Sequence, residues 1–199
     1  MILFHSEIIT AVVDLIVLGC WLGIIAILAM GKRRAAPGAR HSDPKSILGF
    51  MLQVAAYFIC FVAFRPLFSP PFRITETGEA LLAAFTATLG VASTWLCYTA
   101  ARALGRHWAL MARVIVGHEL VRSGPYAMVR NPIYLAMFGL VIATALAFSR
   151  WQALAPAVAV YWIGTLVRIR AEEKLLHGAF GEEFEQYSRR VPALFPRLI

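Results

Sequence analysis

The chain has 199 residues, of which 60% are hydrophobic and 15% charged, far too apolar for a soluble domain of this size. Its length suits one compact domain over 1–199, and no internal repeat or low-complexity tract suggests a second. A net charge of +8 would suit nucleic acid, but the basic residues sit in loops beside apolar spans, which reads as membrane topology and argues against a nucleic-acid partner.

Five segments are long enough, or nearly so, to cross about 30 Å of hydrocarbon as helices. They cover 8–30, 47–68, 80–104, 133–148 and 151–167, and predict an all-α, polytopic membrane protein. The N-terminus lacks a basic n-region and a cleavage site, so the first span is expected to be retained. Asp14 and Arg65 fall near the outer ends of the first two spans, as an ion pair or with Arg65 snorkelling to the interface. Cys20, Cys60 and Cys97 lie in three different spans without metal-ligand spacing and read as packing residues, so no metal site is expected. The last two spans are short and separated by Ser149-Arg150, which predicts a tight helical hairpin.

The loops fix an expected orientation. Residues 31–45, 102–131 and the tail from 168 carry 16 of the 19 Lys and Arg residues, whereas Arg65, Arg73 and Arg150 lie opposite. By the positive-inside rule the basic side is cytoplasmic, with the N-terminus out and the C-terminus in.

Between the third and fourth spans runs a polar, basic stretch, residues 117–134, GHELVRSGPYAMVRNPIY. Irregular backbone at a bilayer boundary must be solvated, buried in protein or wrapped around a ligand. Ser123-Gly124-Pro125 imposes a turn. Asn131-Pro132 suits the N-cap and first position of the fourth helix. That reads as an ordinary capped helix or as a seat for a carboxylate or phosphate at its N–H groups. Tyr126 and Tyr134 flank the cap as aromatic faces or interface anchors, and His118 adds a group able to donate or accept.

Further on, RIRAEEKLL places Arg168 and Glu172 four residues apart on one helix face. The pair is either a simple surface bridge or a divided site, with Arg168 holding a substrate carboxylate and Glu172 meeting a cofactor ammonium. A guanidinium fork suits a carboxylate because it can engage both oxygens. The FGEEFEQY pattern from Phe180 to Tyr187 predicts an amphipathic helix closing over the site, within a C-terminal cytoplasmic helix over 168–190 ended by Pro192 and Pro196.

GHELVRSGPYAMVRNPIY, then RIRAEEKLL, then FGEEFEQYSRRVPALFP, resembles the isoprenylcysteine carboxyl methyltransferase family. More broadly it is similar to the membrane methyltransferases that include phospholipid N-methyltransferases. The resemblance covers residues 104–197; the first two spans carry no recognised motif. It implies S-adenosylmethionine as methyl donor and a lipophilic or prenylated acceptor drawn from the membrane lipid. It also implies that His118, Glu119, Leu120, Val121 and Tyr126 line the cofactor, as do Asn131, Pro132, Ile133 and Tyr134, which match a His-Pro-x-Tyr element. Glu172 is then a cofactor contact, and Arg168 the substrate-binding and catalytic arginine. The cofactor site is expected from the 105–134 segment and the C-terminal helix. Many members have His where this chain has Asn131, which cannot titrate near neutral pH, so a positioning role is expected there.

A carboxylate acceptor is ionised at neutral pH and needs no general base. An amine acceptor must first lose a proton; Glu173 or His118 is then the candidate base, and nothing in the sequence favours either. Carboxyl methylation of an isoprenylcysteine-like acid is the leading reading. Phospholipid N-methylation and a non-catalytic membrane protein on a related scaffold are the alternatives.

Overall fold

The computed structural model describes residues 2–34, 41–42, 45–66, 69, 75–105, 113–114 and 120–196. Among them the chain forms α1 (Ile2–Arg34), α2 (Lys45–Val62), α3 (Glu76–Leu104), α4 (Pro132–Phe148), α5 (Leu154–Phe180) and α6 (Glu182–Arg190). The expected all-α architecture is present, with one addition. Two-residue strands β1 (His41–Ser42) and β2 (Arg113–Val114) pair antiparallel and tie the α1–α2 connection to the α3–α4 connection. Among the described residues, four helical stretches, Glu7–Arg33, α2, α3 and Trp151–Phe180, are long and apolar enough to cross a membrane. The protein is an integral membrane protein; α4, at 17 residues, is the short fifth apolar helix.

Small residues set the helix register. In lipid there is little hydrophobic drive between helices, so close backbone approach and van der Waals contact must hold them. A Cβ on Gly49 of α2 would lie 2.7 Å from the Gly164 carbonyl of α5, and one on Gly164 would lie 2.7 Å from the Gly49 carbonyl. With Gln53 bonded to Thr165 and Tyr57 against Tyr161, α2 and α5 run antiparallel. Gly139 of α4 meets Ser93 and Leu89 of α3, again antiparallel, while Gly90 and Gly23 bring α3 and α1 together in parallel. The principal pairs are α2 with α5, α3 with α4 and α1 with α3. The connection from α4 to α5 is tight, as expected, yet α5 packs chiefly on α2.

α4 is the centre of the bundle. Its sequence, PIYLAMFGLVIATALAF, is apolar on all sides, the pattern of a helix surrounded by others. Gly139 through Val141 and Ala143 through Phe148 are buried. By contrast α1, α2 and α3 turn Leu15, Leu22, Phe58, Leu81 and Trp95 outward, as lipid-facing helices should. The cysteines of α1, α2 and α3 are free and buried.

At the end of α4 remote from Asn131, Arg65 is buried and donates to the carbonyls of Leu146 at 2.9 Å and Ser149 at 3.3 Å. It caps the C-terminus of α4, satisfying carbonyls left without intrahelical partners. Asp14, also buried, is close enough to act on it electrostatically. Arg65 therefore does not snorkel.

The helices differ in extent from the expected spans, and α1 at Ile2–Arg34 overruns 8–30 at both ends. The second span ends at Val62 instead of 68, because Arg65 precedes Pro66 and its N–H pairs with the Phe148 carbonyl at 3.0 Å; residues 67–68 lie outside the described residues. The third starts at Glu76, capped by the Thr75 hydroxyl on the Gly78 N–H at 3.3 Å. The helix that holds the fifth span does not stop at 167. α5 continues unbroken to Phe180, because RIRAEEKLL consists of good helix formers apart from the β-branched Ile169. The separate helix expected over 168–190 is thus the end of α5 plus α6, divided at Gly181 with φ +52°.

Gly164→Ala should lower the thermal unfolding midpoint in detergent, from about 1–3 kcal/mol of overpacking. Gly178→Ala, whose added Cβ meets nothing within 4 Å, should leave it level or slightly higher.

Candidate functional site

Arg168 lies on α5 just beyond the close contact with α2, and its Cγ would be 2.5 Å from a Cβ on Gly49. Only a glycine leaves room for the arginine stem there. The side chain is 5% exposed. Its Nη1 donates to Gln53 Oε1 at 3.1 Å, and Nη2 lies 3.7 Å from Glu172 Oε1. The guanidinium carbon sits 4.9 Å from the Tyr134 ring centroid and 5.6 Å from that of Phe50, within cation–π range of both. The Tyr134 hydroxyl donates to Glu172. Three helices thus converge: Phe50 and Gln53 from α2, Tyr134 from α4, Arg168 and Glu172 from α5. The Glu172 side chain remains a quarter exposed (25%).

The approach to α4 supplies the rest. Ser123 leads into a 3₁₀ turn, Gly124–Ala127, with Gly124 at φ +62° against Ala103 of α3. Tyr126 is buried in that turn. Burial holds its phenol well above the ordinary tyrosine range, and the charge of Glu172 adds to the shift. Its carbonyl accepts from the Tyr187 hydroxyl of α6 at 2.7 Å. Burial likewise pushes the Tyr187 phenol up to about 12, so it remains a donor at any physiological pH.

Asn131 occupies the N-cap position with Pro132 following, as expected, but its side chain makes no capping bond. Its Nδ2 and its N–H both donate to the Ala193 carbonyl, at 3.0 and 3.1 Å. The expected helix-capping role is therefore corrected: Asn131 ties α4 to the C-terminal tail. The reason is the chain that follows α6, which brings Pro192 and Ala193 alongside residues 130–131.

Arg130 is the residue the sequence reading passed over. Its Nε and Nη2 donate to Glu173 Oε1 at 2.9 and 2.6 Å, and Nη1 donates to the carbonyls of Ser188 and Val191. One guanidinium thereby joins the turn before α4, the end of α5 and the end of α6. The available signal was the second glutamate of AEE, one position beyond Glu172 and so turned toward a different neighbour. Gln53 and Phe50 were missed because α2 carries no motif; a lone amide inside an apolar span was the signal.

Tyr126, Asn131, Tyr134, Arg168 and Glu172 are thus gathered at one end of the bundle. Pro132 is buried at the start of α4, and Ile133 packs into the helix core. Leu120 and Val121 are half-buried ahead of the turn. His118 and Glu119 lie outside the described residues. The tail packs over the neighbouring face, with Phe195 stacked on Trp162 at 5.7 Å and Leu194 against Tyr134 and Ile169.

A family profile described as phospholipid methyltransferase matches residues 81–183, just over half of the chain. The chain belongs to that family. The matched segment holds Tyr126, Asn131, Tyr134, Arg168 and Glu172, and excludes α2. Among curated proteins it is 42% identical over 97 residues to the nickel-cobalt-cadmium resistance protein NccN of Alcaligenes xylosoxydans xylosoxydans, covering 48% of this chain and 45% of that protein. It is 41% identical over 101 residues to the cobalt-zinc-cadmium resistance protein CzcN of Cupriavidus metallidurans, covering 48% and 44%. It is 34% identical over 79 residues to the protein-S-isoprenylcysteine O-methyltransferase of Schizosaccharomyces pombe, covering 40% and 34%. In each alignment the matched part spans less than half of the relative's length.

Arg130→Ala should free α6 and the tail, removing hydrogen bonds to a charged group worth about 1.5–3 kcal/mol each. Limited trypsin digestion should then cut at Arg189 and Arg190 several-fold faster than in the parent protein.

Proposed function

We propose that this protein transfers a methyl group from S-adenosylmethionine to a lipophilic acceptor, and that the transfer is carboxyl O-methylation of an isoprenylcysteine-like acid. The observation that carries this is the convergence of Arg168, Glu172 and Tyr134, inside the family-matched segment, at the end of a bundle of membrane-crossing helices. The residues suit the cofactor. Glu172, on a partly exposed side chain, offers a carboxylate to an ammonium, Tyr126 and Tyr134 stand beside it, and the α4 N-terminus is left uncapped by Asn131. His118, Glu119, Leu120, Val121, Pro132 and Ile133 complete the cofactor lining by family resemblance.

When bound, S-adenosylmethionine supplies a methyl group activated by its sulfonium. The protein's share is alignment and exclusion of water. Arg168 orients the acceptor carboxylate, which is ionised already and needs no base. Glu172 and Tyr134 hold the polar end of the cofactor. The acceptor enters sideways from the lipid, and the cofactor from the aqueous side.

That side is the cytoplasm in our reading. The described basic residues Lys32, Arg33, Lys45, Arg102, Arg122 and Arg130 fall at the helix ends that share this side with the site, which supports an outward N-terminus.

The family's description also supports a second reading, N-methylation of a phospholipid headgroup. An ammonium acceptor needs a base; of the two candidates, Glu173 is engaged by Arg130 at 2.6 Å, and His118 lies outside the described residues. The engagement of Glu173 supports the carboxyl acceptor.

Incubation with labelled cofactor and a panel of prenylcysteines, fatty acids, thiols and phosphatidylethanolamine separates the readings. Base-labile label on prenylcysteine is expected; label in the headgroup would establish the second reading instead. A well-folded protein that does not bind S-adenosylhomocysteine in calorimetry would defeat both.

Glu172→Ala should weaken S-adenosylhomocysteine binding by roughly tenfold or more, as loss of a charged partner implies. Arg168→Ala should leave that affinity within about twofold while cutting acceptor kcat/KM by roughly a hundredfold. Equal loss of cofactor affinity in both variants would refute the division of roles.

A further inference from the structure

Arg168 is held in place by a neutral group from a helix outside the family-matched segment. Gln53 is buried on α2, its Oε1 accepting from Arg168 at 3.1 Å and its Nε2 donating to Thr165 Oγ1 at 2.9 Å. The amide orientation follows from chemistry. A guanidinium has donors only, so the carbonyl must face Arg168, and the NH₂ is left for the threonine oxygen. The height of Gln53 along α5 is set by backbone contact, since a Cβ on Gly164 would come within 3.0 Å of the Gln53 nitrogen.

The charged neighbour does less to orient the arginine. Glu172 stands 3.7 Å from Nη2 and accepts the Tyr134 hydroxyl, which directs its carboxylate toward α4. A carboxylate at the position of Gln53 would orient Arg168 but also neutralise it. An amide carbonyl orients the fork without adding a second negative charge to the one that Glu172 brings within 3.7 Å.

We propose that Gln53 is a positioning residue: it fixes Arg168 for an acceptor carboxylate without neutralising it, making α2 part of the acceptor site. The proposal rests on the carboxyl-methylation reading above.

The test uses the full chain in detergent or lipid discs. Gln53→Met keeps the side-chain length and removes both hydrogen bonds; Gln53→Glu keeps an oxygen beside Arg168 and adds a charge. Acceptor KM and kcat are measured on the acid that the unmodified protein methylates fastest, and S-adenosylhomocysteine affinity by calorimetry. In Gln53→Met, acceptor kcat/KM should fall about tenfold, the size of one lost charge-assisted hydrogen bond. In Gln53→Glu it should fall further, through a raised acceptor KM. Cofactor affinity should stay within about twofold in both.

Unchanged kcat/KM in both variants overturns the proposal, as does a loss of cofactor affinity equal to the loss of kcat/KM. Gln53→Glu outperforming Gln53→Met also overturns it, since filling and hydrogen bonding alone would then suffice. If Gln53→Met does not fold, Gln53→Glu against the unmodified protein carries the same criteria. A parent protein that binds S-adenosylhomocysteine yet methylates no acid brings down the functional reading, and this proposal with it.

Discussion

The contact between Gly49 and Gly164 is the constraint on which the rest depends. Two helix backbones meet there with no side chain between them. Lipid is as apolar as leucine, so greasy side chains alone would not choose this pairing over lipid contact. Glycine permits close approach, and close approach fixes both height and rotation of α5 against α2. Everything polar at that end of the bundle follows from that register. Arg168 passes beneath Gly49, Gln53 reaches Arg168 and Thr165 together, and Phe50 lies within cation–π range.

Burying so many polar groups among apolar helices demands that each be answered. An unsatisfied donor or acceptor in such surroundings costs several kcal/mol. An arginine stands at each end of α4, Arg65 from beyond α2 and Arg130 from the turn just before α4. Arg65 closes the carbonyl end of α4, and Arg130 binds the turn before α4 to α5 and α6. Both guanidiniums donate to main-chain carbonyls, so these contacts do not depend on which apolar residues line the helices. That leaves α1, α2 and α3 free to present varied apolar faces to lipid while the ends of α4 hold still.

Much of this was legible in the sequence. Apolar length disclosed the spanning helices, and the turn, Asn-Pro start and Arg-x-x-x-Glu spacing marked the segments that meet at Arg168, Glu172 and Tyr134. What escaped notice was what depends on packing between distant parts of the chain. The four-residue spacing of Arg168 and Glu172 suggests a surface bridge or a divided site; the two stand 3.7 Å apart, and the sequence does not announce that Tyr134 also bonds one and Gln53 the other. Asn131 looked like a helix cap because local chemistry favours it, but the tail offers its amide a carbonyl that local sequence cannot announce. Arg130 read as one more loop charge, since nothing near it in sequence reveals three partners 43 to 61 residues away. The helix that holds the fifth span runs on past 167 because the change of composition there is not a change of structure.

The bond from Asn131 to Ala193 gives the asparagine a meaning of its own. A histidine at this position would carry an imidazole, which changes charge between about pH 5 and 8. A carboxamide has no proton to gain or lose in that range. In this chain the fastening between the start of α4 and the tail is thus insensitive to acidity, and the residue works as a fixed hinge pin where a histidine would be a titratable one.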